Sequence, residues 1–241
     1  MLLEGVPVLI QFPIFILFVL VLSSCIVNAI HTSSILSDDS IEGVWVNPNV
    51  EDTLNMLREI RIKNVNRVII GTLNINSLPA KYDKLKLVIG NYLDILVIQE
   101  TKLDPSFPTT QFMINGYKKP YRLDRNRNGG GVIIYIREDI PSRELHKHNF
   151  TKYIEGLFVE VNLRKMKILL FGTYHSTHPD YDLKDIQYLE QIGLALDVYS
   201  NYEKFLLVGD FNMEEEDSVL MDFLFQYNAK NVVKEKTCFK Y

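Results

Sequence analysis

Two cysteines, Cys25 and Cys238, are all the thiol chemistry in this 241-residue chain. They make no disulfide framework and have no metal-site spacing. Positive charge is also short: 26 Lys and Arg stand against 30 Asp and Glu, a net charge of −4. That excludes a global basic field, so any nucleic-acid partner must be held by a local patch. No internal repeat and no low-complexity tract occurs, which excludes the repeat architectures. The most unusual lack is local. Residues 6–30, VPVLIQFPIFILFVLVLSSCIVNAI, contain no charge.

At about 1.5 Å per residue that run is long enough to cross a hydrocarbon core of ~30 Å. Its flank carries one Glu and neither Lys nor Arg, so charge gives it no orientation. Val27, Asn28 and Ala29 offer a signal peptidase residues of acceptable size. A membrane anchor through residues 6–30, a cleaved signal peptide and a fused leader all remain open, and the first two place the chain at a membrane or in the secretory pathway. Residues 31–50 are rich in Ser, Asp, Asn and Pro and read as a linker. Leu54, Leu57 and Ile60 then recur at helical spacing within 51–63. The expected organisation is a hydrophobic leader over 1–30, a linker with a short helix over 31–65, and a domain over 66–241. A hydrophobic content of 47% and a charged content of 23% suit one ordinary globular domain with an appendage.

Within the domain, apolar runs alternate with helical patterns. Strands are expected over 67–76, 94–100, 129–138, 155–162, 167–175 and 204–212, with helices over 80–92, 185–199 and 217–227. Such an order suggests an α/β domain with buried sheets. Several strands end in the same way. RVIIGTLNIN ends in Asn74 and Asn76, DILVIQE in Glu100, KILLFGTYH in Tyr174 and His175, and KFLLVGDFN in Asp210 and Asn212. One polar strand end reads as a turn, because Asp and Asn favour turns. Three ends rich in oxygen make a site, since ligands of open α/β sheets gather at the carboxyl ends of strands. Glu, Asp and Asn oxygens are what a hard cation such as Mg²⁺ takes.

LNINSL, VIQET, GTYH and VGDFN, in that order and at those separations, resemble the endonuclease/exonuclease/phosphatase superfamily. YKKPYRLDRNRNGGGVIIYIRED, LLVGDFN and NAKNVVKEKTCFK make the chain similar to the endonuclease domain of non-LTR (LINE-type) retrotransposons. The resemblance covers roughly residues 64–241. It implies a four-layered α/β sandwich of the deoxyribonuclease I type and a phosphodiester hydrolase that nicks DNA with Mg²⁺ or Mn²⁺. By residue, it implies Glu100 as the metal ligand and Asn74 as support for the metal or the scissile phosphate. Tyr174 would contact the phosphate, Asp210 would orient or deprotonate the attacking water, and Asn212 would bond the phosphate oxygens. Asn76 stands where relatives often have Asp, which leaves its role open. A nuclear location follows if the leader is a product of gene fusion.

Other readings stand beside these. Tyr174 is also an ordinary strand residue. His175 and His178, in HSTHPD, depart from the proline-rich sequence that relatives carry there and are expected as surface-loop histidines. Lys118, Lys119, Arg122, Arg125 and Arg127 form a basic loop suited to the DNA phosphate backbone or simply to solvent. Gly129–Gly131 resemble a phosphate cradle, but no helix with Lys-Ser/Thr follows, so easing the chain into the next strand is their expected role. Relatives end in further strands and a Ser-Asp-His, which occurs nowhere in this sequence. That implies impaired catalysis, exposed sheet edges, and, as alternatives, an inactive membrane-tethered remnant or a secreted phosphoesterase of the same fold.

Overall fold

The computed structural model describes residues 50–231 apart from 147–149, 152, 181–182, 203 and 214–216; for residues 17–22, 41–46 and 50–52 it describes the backbone alone. Among the described residues, ten strands fall into two sheets. The first has the order β2-β1-β3-β4-β6-β5, from β1 (Leu17–Leu22), β2 (Ile41–Val46), β3 (Val68–Asn74), β4 (Ile95–Gln99), β5 (Tyr121–Leu123) and β6 (Val132–Ile136). The second has the order β10-β9-β8-β7, from β7 (Ser142–Leu145), β8 (Glu155–Leu163), β9 (Met166–Tyr174) and β10 (Phe205–Asp210). Helices α1 (Val50–Lys63) and α2 (Leu78–Ile89) cover the first sheet, and α3 (Asp185–Val198) and α4 (Ser218–Gln226) the second.

The period-two direction of strand side chains sorts the residues into three apolar layers. Ile95 and Val97 of β4, and Val132, Ile134 and Ile136 of β6, face the gap between the sheets, where they meet Val159, Val161 and Leu170. Their neighbours Leu96, Ile98, Ile133 and Tyr135 face outward under Leu57 and Ile60 of α1 and Leu85 and Ile89 of α2. Phe158, Leu169 and Phe171 turn to the opposite side, under Tyr188, Leu189 and Ile192 of α3. Sheets covered on both faces have apolar residues at every position, hence the near-continuous hydrophobic strands of the sequence. The architecture is the expected four-layered α/β sandwich.

Several segments depart from the sequence reading. The uncharged leader contributes β1, which pairs in parallel with both β2 and β3, and the linker contributes β2. The rest of residues 1–30 lies outside the described residues. Among the described residues no helix is long and apolar enough to cross a membrane. β10, expected within a buried sheet, is an edge strand of its sheet among the described residues, and of its Leu206-Leu207-Val208 only Val208 is buried.

A candidate active site where two parallel strand pairs end

β3 and β4 run parallel in one sheet, with Asn74 paired to Gln99. β9 and β10 run parallel in the other, with Asp210 paired to Tyr174. The carboxyl ends of both pairs meet. Asn74 Nδ2 donates to Glu100 Oε1 at 2.9 Å and to Asp210 Oδ2 at 2.8 Å, so one amide joins an acid from each sheet. The Tyr174 hydroxyl donates to the same Glu100 oxygen at 2.9 Å. Asn74, Glu100, Tyr174 and Asp210 thus form one hydrogen-bonded group, although 136 positions separate Asn74 from Asp210.

The backbone bends sharply just past these strand ends. Asn76, Ser77, Glu100, Lys102 and Asn212 all have positive φ, between 46° and 90°. Left-handed backbone costs a residue with a Cβ of order 1–3 kcal/mol, less for Asn, and persists where the surroundings enforce it. Here those surroundings are cross-loop bonds: Ser77 N–H donates to Glu100 O at 2.8 Å, Leu78 N–H to Thr101 O at 2.9 Å, and Lys102 N–H to Gly130 O at 2.9 Å. These bonds hold Glu100 at the meeting point against the strain.

Burial, opposed by hydrogen bonds from Asn74 and from the Asn212 N–H, raises the pKa of Asp210 above the usual carboxylate value. Burial also raises that of the Tyr174 phenol, and the neighbouring Glu100 carboxylate adds to the effect. Among the described residues neither Glu100 nor Asp210 has an ion-pair partner, and no group of three or more His, Cys, Asp or Glu converges. Two carboxylates held close together with no ion-pair partner of their own suit a divalent cation that keeps most of its waters, as Mg²⁺ does. Asn74 turns its amide nitrogen to both acids and its oxygen to the Asn76 N–H, 3.2 Å away. It clamps the two acids together and does not aim a third oxygen at a common point.

The other sequence candidates lie as follows. Asn212 receives no strand support of its own; its Nδ2 donates to His175 O at 2.6 Å and its N–H to Asp210 Oδ1 at 3.3 Å, which closes the turn after β10. His175 is not a surface-loop residue. Its ring is buried, stacks on Tyr188 at 4.0 Å, and bonds Phe211 O and Leu183 O through its two nitrogens. It fastens the loop before α3 to the turn after β10, a long-range contact that no local pattern announces. His178 is exposed, as expected. Asn76 accepts from Lys102 Nζ at 2.5 Å at the rim of the site. Lys102 escaped the sequence reading, although it stands two positions past Glu100, directly after VIQET.

The five basic loop residues do not gather into one patch, because β5 runs between them. Lys118 lies beside Ile136, at the end of β6 away from the site. Arg122 grips the Asp124 carboxylate through two nitrogens and donates to Phe107 O and Asp104 O. Arg125 is buried against Glu155. Arg127 is 61% exposed, pairs with Asp104 and lies 5.0 Å over the Phe107 ring. Lys119, next to Lys118, is exposed.

A model of the Endonuclease/Exonuclease/phosphatase family matches residues 71–231. No curated protein matches the chain at a significant level. Among solved structures, a 3'-5' exonuclease (NExo) from Neisseria meningitidis is similar at 24% identity with a TM-score of 0.41, over 60% of this chain and 57% of that one. The human Nocturnin catalytic domain is similar at 14% identity and a TM-score of 0.46, over 63% and 66%. An AP endonuclease from Archaeoglobus fulgidus is similar at 21% identity and a TM-score of 0.41, over 61% and 58%. The match thus spans less than two thirds of the first of these structures.

Proposed function

The chain belongs to the endonuclease/exonuclease/phosphatase family, and from that premise we propose that it hydrolyses phosphodiesters with Mg²⁺ or Mn²⁺, that its substrate is DNA, and that it is of non-LTR retroelement origin. The observation that carries the reading is the Asn74 amide, which joins Glu100 of one sheet to Asp210 of the other. A divalent cation held by Glu100 would offset the charge that builds on the phosphate oxygens. Asp210 takes a proton from the attacking water, a role that its burial favours because a carboxylate of raised pKa is a better base. Tyr174, hydrogen-bonded to Glu100, presents a neutral phenol beside the phosphate, and Asn212 has a second amide hydrogen to direct at a phosphate oxygen. Lys102 and Arg127 supply positive charge near the rim, where a backbone phosphate lies against protein. The retroelement origin is supported by the segments YKKPYRLDRNRNGGGVIIYIRED, LLVGDFN and NAKNVVKEKTCFK.

The test is nicking of supercoiled plasmid by the full chain. Mg²⁺ or Mn²⁺ should support nicking and chelation should stop it. Glu100→Gln should lower the rate at least about 100-fold, as loss of one preorganised electrostatic group does. Sphingomyelin hydrolysis in place of nicking would keep the chemistry and replace the substrate. No phosphodiester cleavage with either metal would reject the proposal.

A further inference from the structure

The residues of the site come from two sheets, so their spacing depends on whatever ties those sheets together at this end. Arg125 and Glu155 are one such tie, beside the Asn74–Asp210 and Tyr174–Glu100 hydrogen bonds. Arg125 lies in the loop between β5 and β6 of the first sheet, and Glu155 is the first residue of β8 in the second, paired with Tyr174. Their side chains are only 10% and 6% exposed and form an ion pair. Arg125 Nε donates to Gly129 O at 2.9 Å, and Nη1 also donates to Ser176 Oγ at 2.8 Å. The second oxygen of Glu155 accepts from Gly131 N–H at 2.6 Å. The guanidinium carbon stands 5.9 Å from the centre of the Tyr174 ring, whose hydroxyl holds Glu100.

Gly129 and Gly130 show how closely this pair is wrapped. A Cβ on Gly129 would come within 2.5 Å of Arg125 Nη2; one on Gly130 would come within 2.2 Å of Glu155 Oε2 and 2.4 Å of Arg125 Nε. Gly130 also has φ +67°. Gly129–Gly131 therefore form a cradle, and what it holds is the chain's own guanidinium and carboxylate.

We propose that Arg125 is a positioning residue which, through Glu155 and Ser176, fixes the Tyr174 ring against Glu100 and so sets the distance between the two halves of the site. It does not bind substrate phosphate. The proposal rests on the hydrolase reading for its kinetic consequence, but the placement of Tyr174 can be read without catalysis. A lysine at 125 keeps the charge and cannot reach Gly129, Ser176 and Glu155 at once, because only the planar guanidinium presents several donors in a fixed fork.

Two measurements on the full chain test this. With 3-fluorotyrosine incorporated, the ¹⁹F resonance of Tyr174 is assigned by its loss in Tyr174→Phe. In Arg125→Lys that resonance should shift or broaden, while those of Tyr117 and Tyr135, buried under the first sheet's helices, stay in place and report an intact fold. An unmoved Tyr174 resonance overturns the proposal, whether or not the chain cleaves DNA. On plasmid in Mg²⁺, Arg125→Lys should lower kcat about 10- to 100-fold, the scale set by ångström misplacement, with KM and its salt dependence unchanged. A raised KM with a shallower salt dependence at constant kcat would make Arg125 a phosphate contact and overturn the proposal. Should Arg125→Lys fail to fold, Glu155→Gln, which keeps an acceptor for Gly131 N–H, is read by the same resonances with the same expected shift. A wild-type chain that cleaves nothing would reject the hydrolase reading and leave the ¹⁹F comparison to decide this one.

Discussion

At the scale of the residue, Asp210 has to be both buried and able to ionise. Burial raises its pKa, and the Asn74 hydrogen bond is the foremost influence pulling it down. In the metal-free protein, a ¹³C-detected titration of the Asp210 carboxyl should therefore have its midpoint above the ordinary 3.8, and Asn74→Ala should move it further up. A folded-state pKa above the unfolded one means that the group's contribution is complete below the unfolded value and is lost as pH rises through the folded value. A divalent cation at the proposed site would stand beside this carboxylate, so its affinity should fall on acidification through the same window. A midpoint at or below 3.8, or one that Asn74→Ala leaves in place, would remove Asn74 as the clamp. The acids and amides themselves were legible as strand-end residues. The buried lock at His175 was not, because its partners Leu183 and Phe211 are distant in sequence or outside any pattern.

At the scale of the element, β10 delivers Asp210 from a sheet edge, and α4 covers part of it. Val219, Leu220 and Phe223 of α4 pack in one layer with Leu207, Phe211 and Met213, on either side of Asp210. α4 is capped by Asp217, whose Oδ1 accepts from Val219 N–H at 2.8 Å and Leu220 N–H at 3.3 Å. Asp217→Ala should cost ~1 kcal/mol, as loss of an N-cap does, and lower Tm by about 2–4 °C for a domain of this size. Unchanged thermal unfolding would show that the cap contributes nothing. Element existence was readable from periodicity: the expected helix over 185–199 is Asp185–Val198, and the expected strand over 155–162 is Glu155–Leu163. The short strands β5 and β7 were missed. Three or four residues, polar in YRL and SREL, are too few to display a period, and their pairing with β6 and β8 makes them strands.

At the scale of the whole molecule, a cation bound at the proposed site would bridge halves that are otherwise joined by apolar packing, the Asn74–Asp210 and Tyr174–Glu100 hydrogen bonds and the Arg125–Glu155 pair. Anything that binds only the folded state stabilises it, by about 2.7 kcal/mol at a hundred times Kd. Mg²⁺ should therefore raise the Tm of the full chain in a concentration-dependent way, and Glu100→Gln should abolish the rise; an equal rise in both would place the ion elsewhere. What the sequence by itself determined was an α/β class with buried sheets and which strand ends carry oxygen, since the succession of apolar runs and local polarity are written residue by residue. It also carried the family resemblance, in motifs short enough to be read in one strand and its turn. Only the tertiary structure decided that Asn74 clamps Glu100 to Asp210, that the basic loop is divided by β5, and that Gly129–Gly131 enclose Arg125 and Glu155. Each of these depends on the stacking of one sheet on another, or on pairing within a sheet. Contacts between segments a hundred residues apart arise from packing all three apolar layers at once, and no local run of sequence encodes them.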